Sequence, residues 1–412
     1  MLDIKFIREN PEKVKEGCKK RNVECDVDKI LELDKKRREF LQKIEGLKAQ
    51  QNKLRKEDAE EGRRLKQEIK ALEPQLEEIN GGLQSLLTQL PNLPFDDVPM
   101  GDESANKVLR KWGEIPKFDF EPKDHLGLGE TLDIIDVKRA AKVSGARFGY
   151  LKGDAALLEF ALADLAFRMA LQEKFVPIVP PVFVKSEIMQ GMGYVDTPAD
   201  LAERYFFEKD GLFLVGTAEQ SVGPMHADEV FEEKELPKRY VAFSTCFREE
   251  AGSYGKDTHG ILRVHQFDKV ELFSYCHPEK SRDEHEFLVQ LEEKLWQMLE
   301  IPYQVVHLAT GDMSRPAAST IDIEAWLPGQ NKYREVSSAS NTTDFQARRL
   351  NIRFRQKGGK VDYVYMLNAT GFPIGRTLIA ILENYQQKDG SIEIPEVLQE
   401  YAGKKEIKNP HN

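Results

Sequence analysis

Residues 239–273 carry an arginine, an aromatic ring and a carboxylate in an arrangement that could grip a nucleotide. The runs RYVAFSTCFRE (residues 239–249) and LRVHQFDKVELF (residues 262–273) are rich in β-branched and aromatic residues and read as the two strands of a hairpin. A polar loop, EAGSYGKDTHGI, joins them. In the second strand Phe267 and Glu271 are four residues apart, so both project from one face of a sheet. Arg248 closes the first strand beside them. A ring can stack on a base, an arginine can hold a phosphate, and a carboxylate can take an ammonium or a hydroxyl. An ordinary half-exposed hairpin with a core phenylalanine satisfies the same spacing. Neither G-x-x-x-x-G-K-[ST] nor G-x-G-x-x-G occurs, so phosphate binding would rest on arginines and a metal ion.

The elements around this hairpin divide the 412 residues into two kinds of sequence. Leu65, Ile69, Leu72, Leu76, Ile79, Leu83, Leu86 and Leu90 recur in an unbroken alternation of four and three, an a/d heptad pattern. Leu33, Arg37, Phe40, Ile44, Leu47, Gln51 and Leu54 keep the same rhythm, with polar residues at two positions. The pattern lapses over EDAEEG (residues 57–62), whose glycine is expected to serve the reversal. The spacing therefore predicts an antiparallel two-helix coiled coil over residues 28–90, each helix about 45 Å long. Pro74 and the Gly81-Gly82 pair are expected to bend the second helix. PNLPFDDVP then reads as a linker, with a domain boundary expected between residues 97 and 98.

Beyond the linker, residues 154–173 form an apolar helix with Leu158, Leu162, Leu165 and Met169 on one stripe. RYVAFSTCF, VHQFDKVELF and VDYVYML read as strands. Strands not regularly separated by helices favour an antiparallel α+β domain over a doubly wound sheet.

Composition narrows the function classes. The net charge of −10 argues against a protein that coats nucleic acid non-specifically. The arm segment 28–90 nevertheless holds 14 Lys and Arg against 13 Asp and Glu, so the acidity lies elsewhere. No run approaches the roughly 18 apolar residues of a membrane span, and MLDIKFIREN lacks the apolar core of a signal peptide. Cys18, Cys25, Cys246 and Cys276 show no CxxC spacing and are expected to be free thiols, consistent with a cytoplasmic location.

FREEAGSYGKDTHGILRVHQFDKVELF closely resembles motif 2 of the class II aminoacyl-tRNA synthetases, in the form found in seryl-tRNA synthetases of bacterial type. LNATGFPIGRTLIAILENYQ resembles motif 3, and the helix at 154–173 followed by FVPIVPPVF resembles motif 1. GTAEQ (residues 216–220) and YREVSSASNTTDFQARR (residues 333–349) are similar to that family's serine and ATP segments. The likeness runs essentially end to end.

It implies a six- or seven-stranded antiparallel sheet flanked by helices, with an N-terminal antiparallel coiled-coil arm, in a homodimer built on motif 1 (about residues 154–183). It implies that L-serine is activated with ATP to seryl-adenylate and transferred to the 3′ end of tRNA(Ser), and of tRNA(Sec) where present. Arg248, Glu271 and Arg376 take the catalytic roles. Thr217, Ala218, Glu219, Glu271, Asn368 and Thr370 take the serine. Arg248, Glu249, Glu250, Val264, Phe267, Glu335, Val336, Ser337, Ser338 and Arg376 take the ATP, with Glu335 and Ser338 as Mg²⁺ ligands. Residues three apart on a flat strand face opposite ways, so that pair demands a bulge near Val336 and Ser337. Arg55, Lys56, Arg63, Arg64 and Lys66 are the expected tRNA contacts.

Some positions depart from the family pattern. Gly216 stands where proline or another residue is more usual, Gln220-Ser221 replaces Val-Pro, and Lys174 replaces a glycine. GDMSRPAASTIDIE loses a glycine pair and a lysine at residues 314–319. A relative that loads a carrier protein would lack the arm, and a silent regulatory paralogue would have lost an arginine or the metal pair. A coiled-coil interaction role would be an addition to the enzyme.

Overall fold

The structure is a computed structural model that describes residues 1–55, 58–251 and 260–409. It contains two compact units, Met1–Pro94 and Phe95–Asn412, so the chain divides three residues before the position expected from the linker.

In the first unit, helices α1 (Val27–Gln51) and α2 (Ala59–Gln89) run against each other. Asp26 caps α1 by accepting the Lys29 backbone N–H at 2.9 Å. Every predicted seam position on both helices is at least partly buried, and Ile44 packs against Ile69 and Leu72. Burial of each such side chain stabilises the pair by about 1.5–3 kcal/mol. The polar seam residue Arg37 is accommodated by donating from Nε to Asn80 Oδ1 at 2.8 Å. The expected glycine reversal fails. Gly62 lies inside α2, and a Cβ there would meet nothing closer than Leu54 Cδ1 at 3.6 Å, so the reversal precedes it and needs no glycine. The helix also continues through Pro74 and Gly81-Gly82 without interruption.

The second unit is built on an eight-stranded sheet. Its strands are β1 (Lys107–Trp112), β2 (Val176–Ile178), β3 (Lys238–Phe247), β4 (Gln266–Cys276), β5 (Tyr303–His307), β6 (Ser319–Leu327), β7 (Lys332–Asn341) and β8 (Tyr365–Pro373). Their spatial order is β1-β5-β6-β7-β8-β4-β3-β2. All neighbours are antiparallel except β2 and β3, and the short parallel β2 raises the count above the six or seven expected. VDYVYML is not one strand: Val361–Tyr363 pairs with Arg353–Arg355 in a separate small sheet, and β8 begins at Tyr365.

Helices α3 (Asp154–Gln172), α4 (Ser281–Met298) and α5 (Ile374–Asn384) cover the sheet, and Leu158, Leu162, Trp296, Phe372 and Leu378 join one core. The predicted stripe of α3 is buried, while Leu157, Phe160 and Leu171 on its other side are exposed. Lys174, after α3, has φ +65°, a left-handed conformation in which the family's glycine would be unstrained. Among the described residues no helix is long and apolar enough to cross a membrane, and the four cysteines form no disulfide.

Candidate functional site

Two irregularities in the sheet shape the site. Opposite β6, the register of β7 shifts so that Ile323 faces Ser337 while Glu324 faces Glu335, leaving Val336 as the extra residue. This is the bulge that Glu335 and Ser338 demanded, and both line one cavity. A second shift sets Val270 against Phe372 and Glu271 against Thr370, so Gly371 is extra. A Cβ on Gly371 would sit 3.0 Å from Val270 Cγ1, a close approach that only glycine permits without movement.

The cavity, about 410 Å³, opens over β4, β7 and β8. From β4, alternate residues Phe267, Lys269 and Glu271 share a face; Phe267 and Lys269 line the cavity, while Glu271 is buried behind them. Arg248 is held just beyond β3 by reciprocal bonds with His265: its backbone N–H donates to the His265 carbonyl at 2.9 Å, and the ring donates from Nδ1 to the Arg248 carbonyl at 2.9 Å. The Arg248 side chain donates from Nε to Gly216 O at 3.1 Å and lies over the Phe267 ring, 5.2 Å from its centroid. Arg376, in the first turn of α5, donates from Nη1 to Glu335 O at 2.9 Å and pairs with Glu335 Oε2 at 3.1 Å. Two guanidinium groups thus converge on one polar cavity.

Buried polar groups make the deep end. Thr217 donates from Oγ1 to Glu271 Oε2 at 2.9 Å, and Lys269 Nζ contacts both Glu271 Oε2 and, at 3.1 Å, Thr217 Oγ1. Burial pushes the Glu271 carboxyl up, against the opposing charge of Lys269. Glu219 accepts from the Tyr194 hydroxyl at 2.7 Å and from Gln346 Nε2 at 3.0 Å. Behind the sheet, Glu292 accepts the Thr370 backbone N–H at 2.8 Å and fixes that strand end; burial pushes its carboxyl well up. Glu335 keeps 51% of its side-chain surface open. Withdrawal from bulk water works against its charge, and Arg376 more than offsets this, holding it below the usual carboxylate range.

Of the expected site residues, Thr217, Glu219, Arg248, Glu250, Val264, Phe267, Glu335, Val336, Ser338, Asn368, Thr370 and Arg376 come together around this cavity. Others do not reach it. Ala218 packs into the core, and the Ser337 hydroxyl points the other way to accept the Trp296 indole N–H at 3.1 Å, because the bulge leaves Ser337 on the α4 side. Glu249 lies outside the lining and its backbone N–H donates to Glu203 O at 3.2 Å. On the arm, Arg55, Arg63, Arg64 and Lys66 are exposed, but Arg64 is already bidentate on Glu61 at 2.6 and 2.8 Å. Lys56 lies outside the described residues.

Spacing reasoning overlooked Lys269, although it stands midway between Phe267 and Glu271 on the same pleat. Arg204 and Arg263 also line the cavity; Arg204 comes from a connecting segment, whereas Arg263 lies on the same alternation as Phe267 and Glu271 in the run read as a strand, although the strand itself begins only at Gln266. The unusual GTAEQ segment is locally consistent: Gln220 Oε1 accepts the Gly216 N–H at 2.8 Å, and a Cβ on Gly216 would press on Arg204 Nη1 at 3.1 Å.

Comparison with known proteins agrees with this geometry. Residues 205–385 match the family model of the tRNA synthetase class II core domain (G, H, P, S and T), and residues 1–94 match the seryl-tRNA synthetase N-terminal domain. The serine–tRNA ligase of Dictyoglomus turgidum is 47% identical over 423 aligned residues, covering 99% of each chain. The crystal structure of a seryl-tRNA synthetase from Pyrococcus horikoshii complexed with ATP superposes with a TM-score of 0.92 at 42% identity, covering 99% of this chain and 100% of that one. A cytoplasmic serine–tRNA ligase from Naegleria fowleri in complex with AMP gives 0.89 at 34% identity, covering 100% and 99%.

Proposed function

The chain belongs to the seryl-tRNA synthetase family, and from that premise we propose that it activates L-serine with ATP and transfers the seryl group to tRNA(Ser), and to tRNA(Sec) where that is present. The observation that carries this reading is the convergence of Arg248 and Arg376 on a cavity whose deep end holds Glu271 and Thr217.

In the first step a serine carboxylate oxygen attacks the α-phosphorus of ATP. A new O–P bond forms, the α–β bridge breaks, and pyrophosphate leaves with the electron pair. Arg248 holds the α-phosphate and the serine carboxylate, and its fixed charge opposes the negative charge that builds on the phosphorus. Its bonds to Gly216 and His265 hold it in place before substrate arrives, which is the form in which such stabilisation is most effective. Phe267 stacks on the adenine, and Glu250, itself anchored by Arg263 Nη1 at 2.8 Å, contacts its edge. Arg376 takes the γ-phosphate from the first turn of α5. In the second step the terminal ribose hydroxyl of tRNA attacks the seryl carbonyl; the ester bond forms, the bond from the carbonyl carbon to the phosphate oxygen breaks, AMP leaves with its electron pair, and the hydroxyl proton passes to solvent.

Glu335 and Ser338 offer a carboxylate and a hydroxyl from one face of β7, hard oxygen donors that fit Mg²⁺. Asp322 Oδ1, buried on the adjacent strand, has no hydrogen-bond partner, and burial pushes that carboxyl well up. No group of three or more His, Cys, Asp or Glu ligands occurs among the described residues, so the ion would complete its shell with phosphates and water. Bound there, Mg²⁺ supplies charge neutralisation of the phosphates.

Serine is taken by Glu271, Thr217 and Glu219 around its ammonium, with Asn368 and Thr370 at its side chain. The exposed Leu157, Phe160 and Leu171 of α3, with Val176, Val179 and Phe183 beyond it, support a two-fold homodimer through residues 154–183. The arm, with Arg55, Arg63 and Lys66 near its reversal, supports tRNA binding in the cytoplasm. The test is aminoacylation of tRNA(Ser) by the purified chain with ATP and each of serine, threonine, alanine and cysteine. Serine ester is expected on the tRNA; faster charging with any of the other three would overturn the reading.

A further inference from the structure

Lys269 stands between the cavity and the carboxylate that is proposed to bind the amino acid. Its side chain lines the cavity, whereas Glu271 behind it is 1% exposed and forms no part of the wall. The Lys269 ammonium contacts Glu271 Oε2 and Thr217 Oγ1, and Thr217 in turn donates to the same carboxylate oxygen. Three N–H donors on a cationic nitrogen are therefore seated on one carboxylate and one hydroxyl. An amino acid presents the same group: a protonated amine with three donors.

We propose that Lys269 is an internal occupant of the ammonium seat, and that amino-acid binding exchanges it for the substrate's own ammonium. This rests on the serine-site reading above. A second ammonium on Glu271 Oε2 would stand only about 4–5 Å from the first, and like charges at that separation repel strongly in so dry a place. Glu271 needs a cation at every stage, since an isolated buried carboxylate is costly. Exchange keeps Glu271 paired throughout. The lysine has a flexible four-carbon stem and one side open to the cavity, so it can swing toward the half-exposed Glu335. That movement delivers a positive charge to the part of the cavity assigned to phosphates.

Two consequences distinguish this from a lysine that merely braces the strand. Serine alone must displace Lys269, so its apparent affinity is its intrinsic affinity multiplied by the fraction of time the seat is empty. Serine and ATP must also assist each other, because the displaced ammonium meets the nucleotide's phosphates.

The experiment uses the full-length chain. Serine titrated calorimetrically into Lys269→Met at pH 8, without ATP, is expected to bind about fivefold or more tightly than it binds the wild type. The enhancement of serine affinity by a non-hydrolysable ATP analogue, present in the wild type, is expected to vanish in the variant. Equal or weaker serine binding by a folded variant overturns the proposal. Lys269→Gln, which keeps a donor for Thr217, serves if the methionine variant does not fold. A crystal structure of the wild type with serine decides without any variant: Lys269 Nζ is expected to have left Glu271, and a lysine still bonded to Glu271 beside bound serine overturns the exchange. Failure of the wild type to bind serine at all would instead sink the serine-site reading.

Discussion

Along the arm, most charge lies in solvent: Lys29 and Lys36 flank Glu32 at 2.9 and 2.6 Å, and Arg64 chelates Glu61, all on open helix faces, while Asp34, buried and paired with Arg8 and Arg38, is an exception. In the sheet unit, ionisable groups are taken inside. Lys269 and Glu271 are buried together, Glu292 is fully enclosed, and Glu292 Oε2 and Asp322 Oδ1 have no hydrogen-bond partner. Exposed pairs contribute little to stability, typically about 0–1 kcal/mol, and can be rearranged by a polyanion at small cost. Enclosed charges are expensive to desolvate and keep their strength for a ligand that replaces water. The arm is thus suited to adjustable contact with phosphates, and the sheet unit to fixed, preorganised chemistry.

The comparison is broken most severely at Arg248. Replacing it with alanine removes the charge opposite the reacting phosphorus, and serine-dependent pyrophosphate exchange should fall about a thousandfold or more, with tRNA affinity retained. A fall of less than about tenfold would place the phosphate elsewhere. Packing differs as well. Phe372→Ala empties a fully buried site in the sheet unit and should cost about 3–5 kcal/mol in denaturant unfolding. Leu72→Ala, in a seam 8% exposed, should cost about 2–3 kcal/mol. Equal losses would mean the arm seam packs like the core.

The two regions also differ in how far the sequence disclosed them. A heptad is a local repeat, and every seam position it named is at least partly buried. What failed there was the reversal, because a glycine was taken as its cause when the turn forms before Gly62. In the sheet unit, the face shared by Phe267 and Glu271 followed from alternation, and the bulge at Val336 followed from requiring Glu335 and Ser338 on one side. Arg204 reaches the cavity from a loop whose path depends on tertiary packing, so spacing could not reveal it, whereas Arg263 shares the alternation of Phe267 and Glu271 even though the strand begins only at Gln266. The orientation of the Ser337 hydroxyl was hidden for a related reason: the bulge that brings Glu335 and Ser338 together turns it toward Trp296.

Smaller effects sharpen the contrast. Changing Arg55, Arg63 and Lys66 together to alanine should weaken tRNA binding about tenfold or more and reduce its salt dependence by up to about three phosphate contacts, leaving pyrophosphate exchange unchanged. Unchanged affinity would move the contact along the arm.

The smallest expected effect is a pH dependence. His285 is buried and donates to Ala339 O, and burial pushes its imidazole down to about 4 from an ordinary 6.5. The unfolded chain therefore binds more protons between those values, and stability contributed by neutral His285 is lost as pH falls from about 6.5 to 4. His285→Gln keeps a donor for Ala339 without a group that must stay uncharged. The melting temperature of the variant relative to wild type should rise steadily as pH falls from 6.5 to 4, and a constant difference would mean that the imidazole does not titrate in this window. The arm shows the same sign from a different cause and in a lower window: Glu32 is exposed, and hydrogen bonds from Lys36 and Lys29 hold it down to about 2, so its contribution is lost only as pH falls from about 4.5 to 2.

The division of labour is tested most directly by serine-dependent pyrophosphate exchange and tRNA(Ser) charging, measured side by side on the intact chain and on a chain lacking residues 35–88. The account predicts exchange with serine in both proteins and charging only in the intact one. Exchange that disappears with the arm, or is absent with serine in the intact chain, would contradict it.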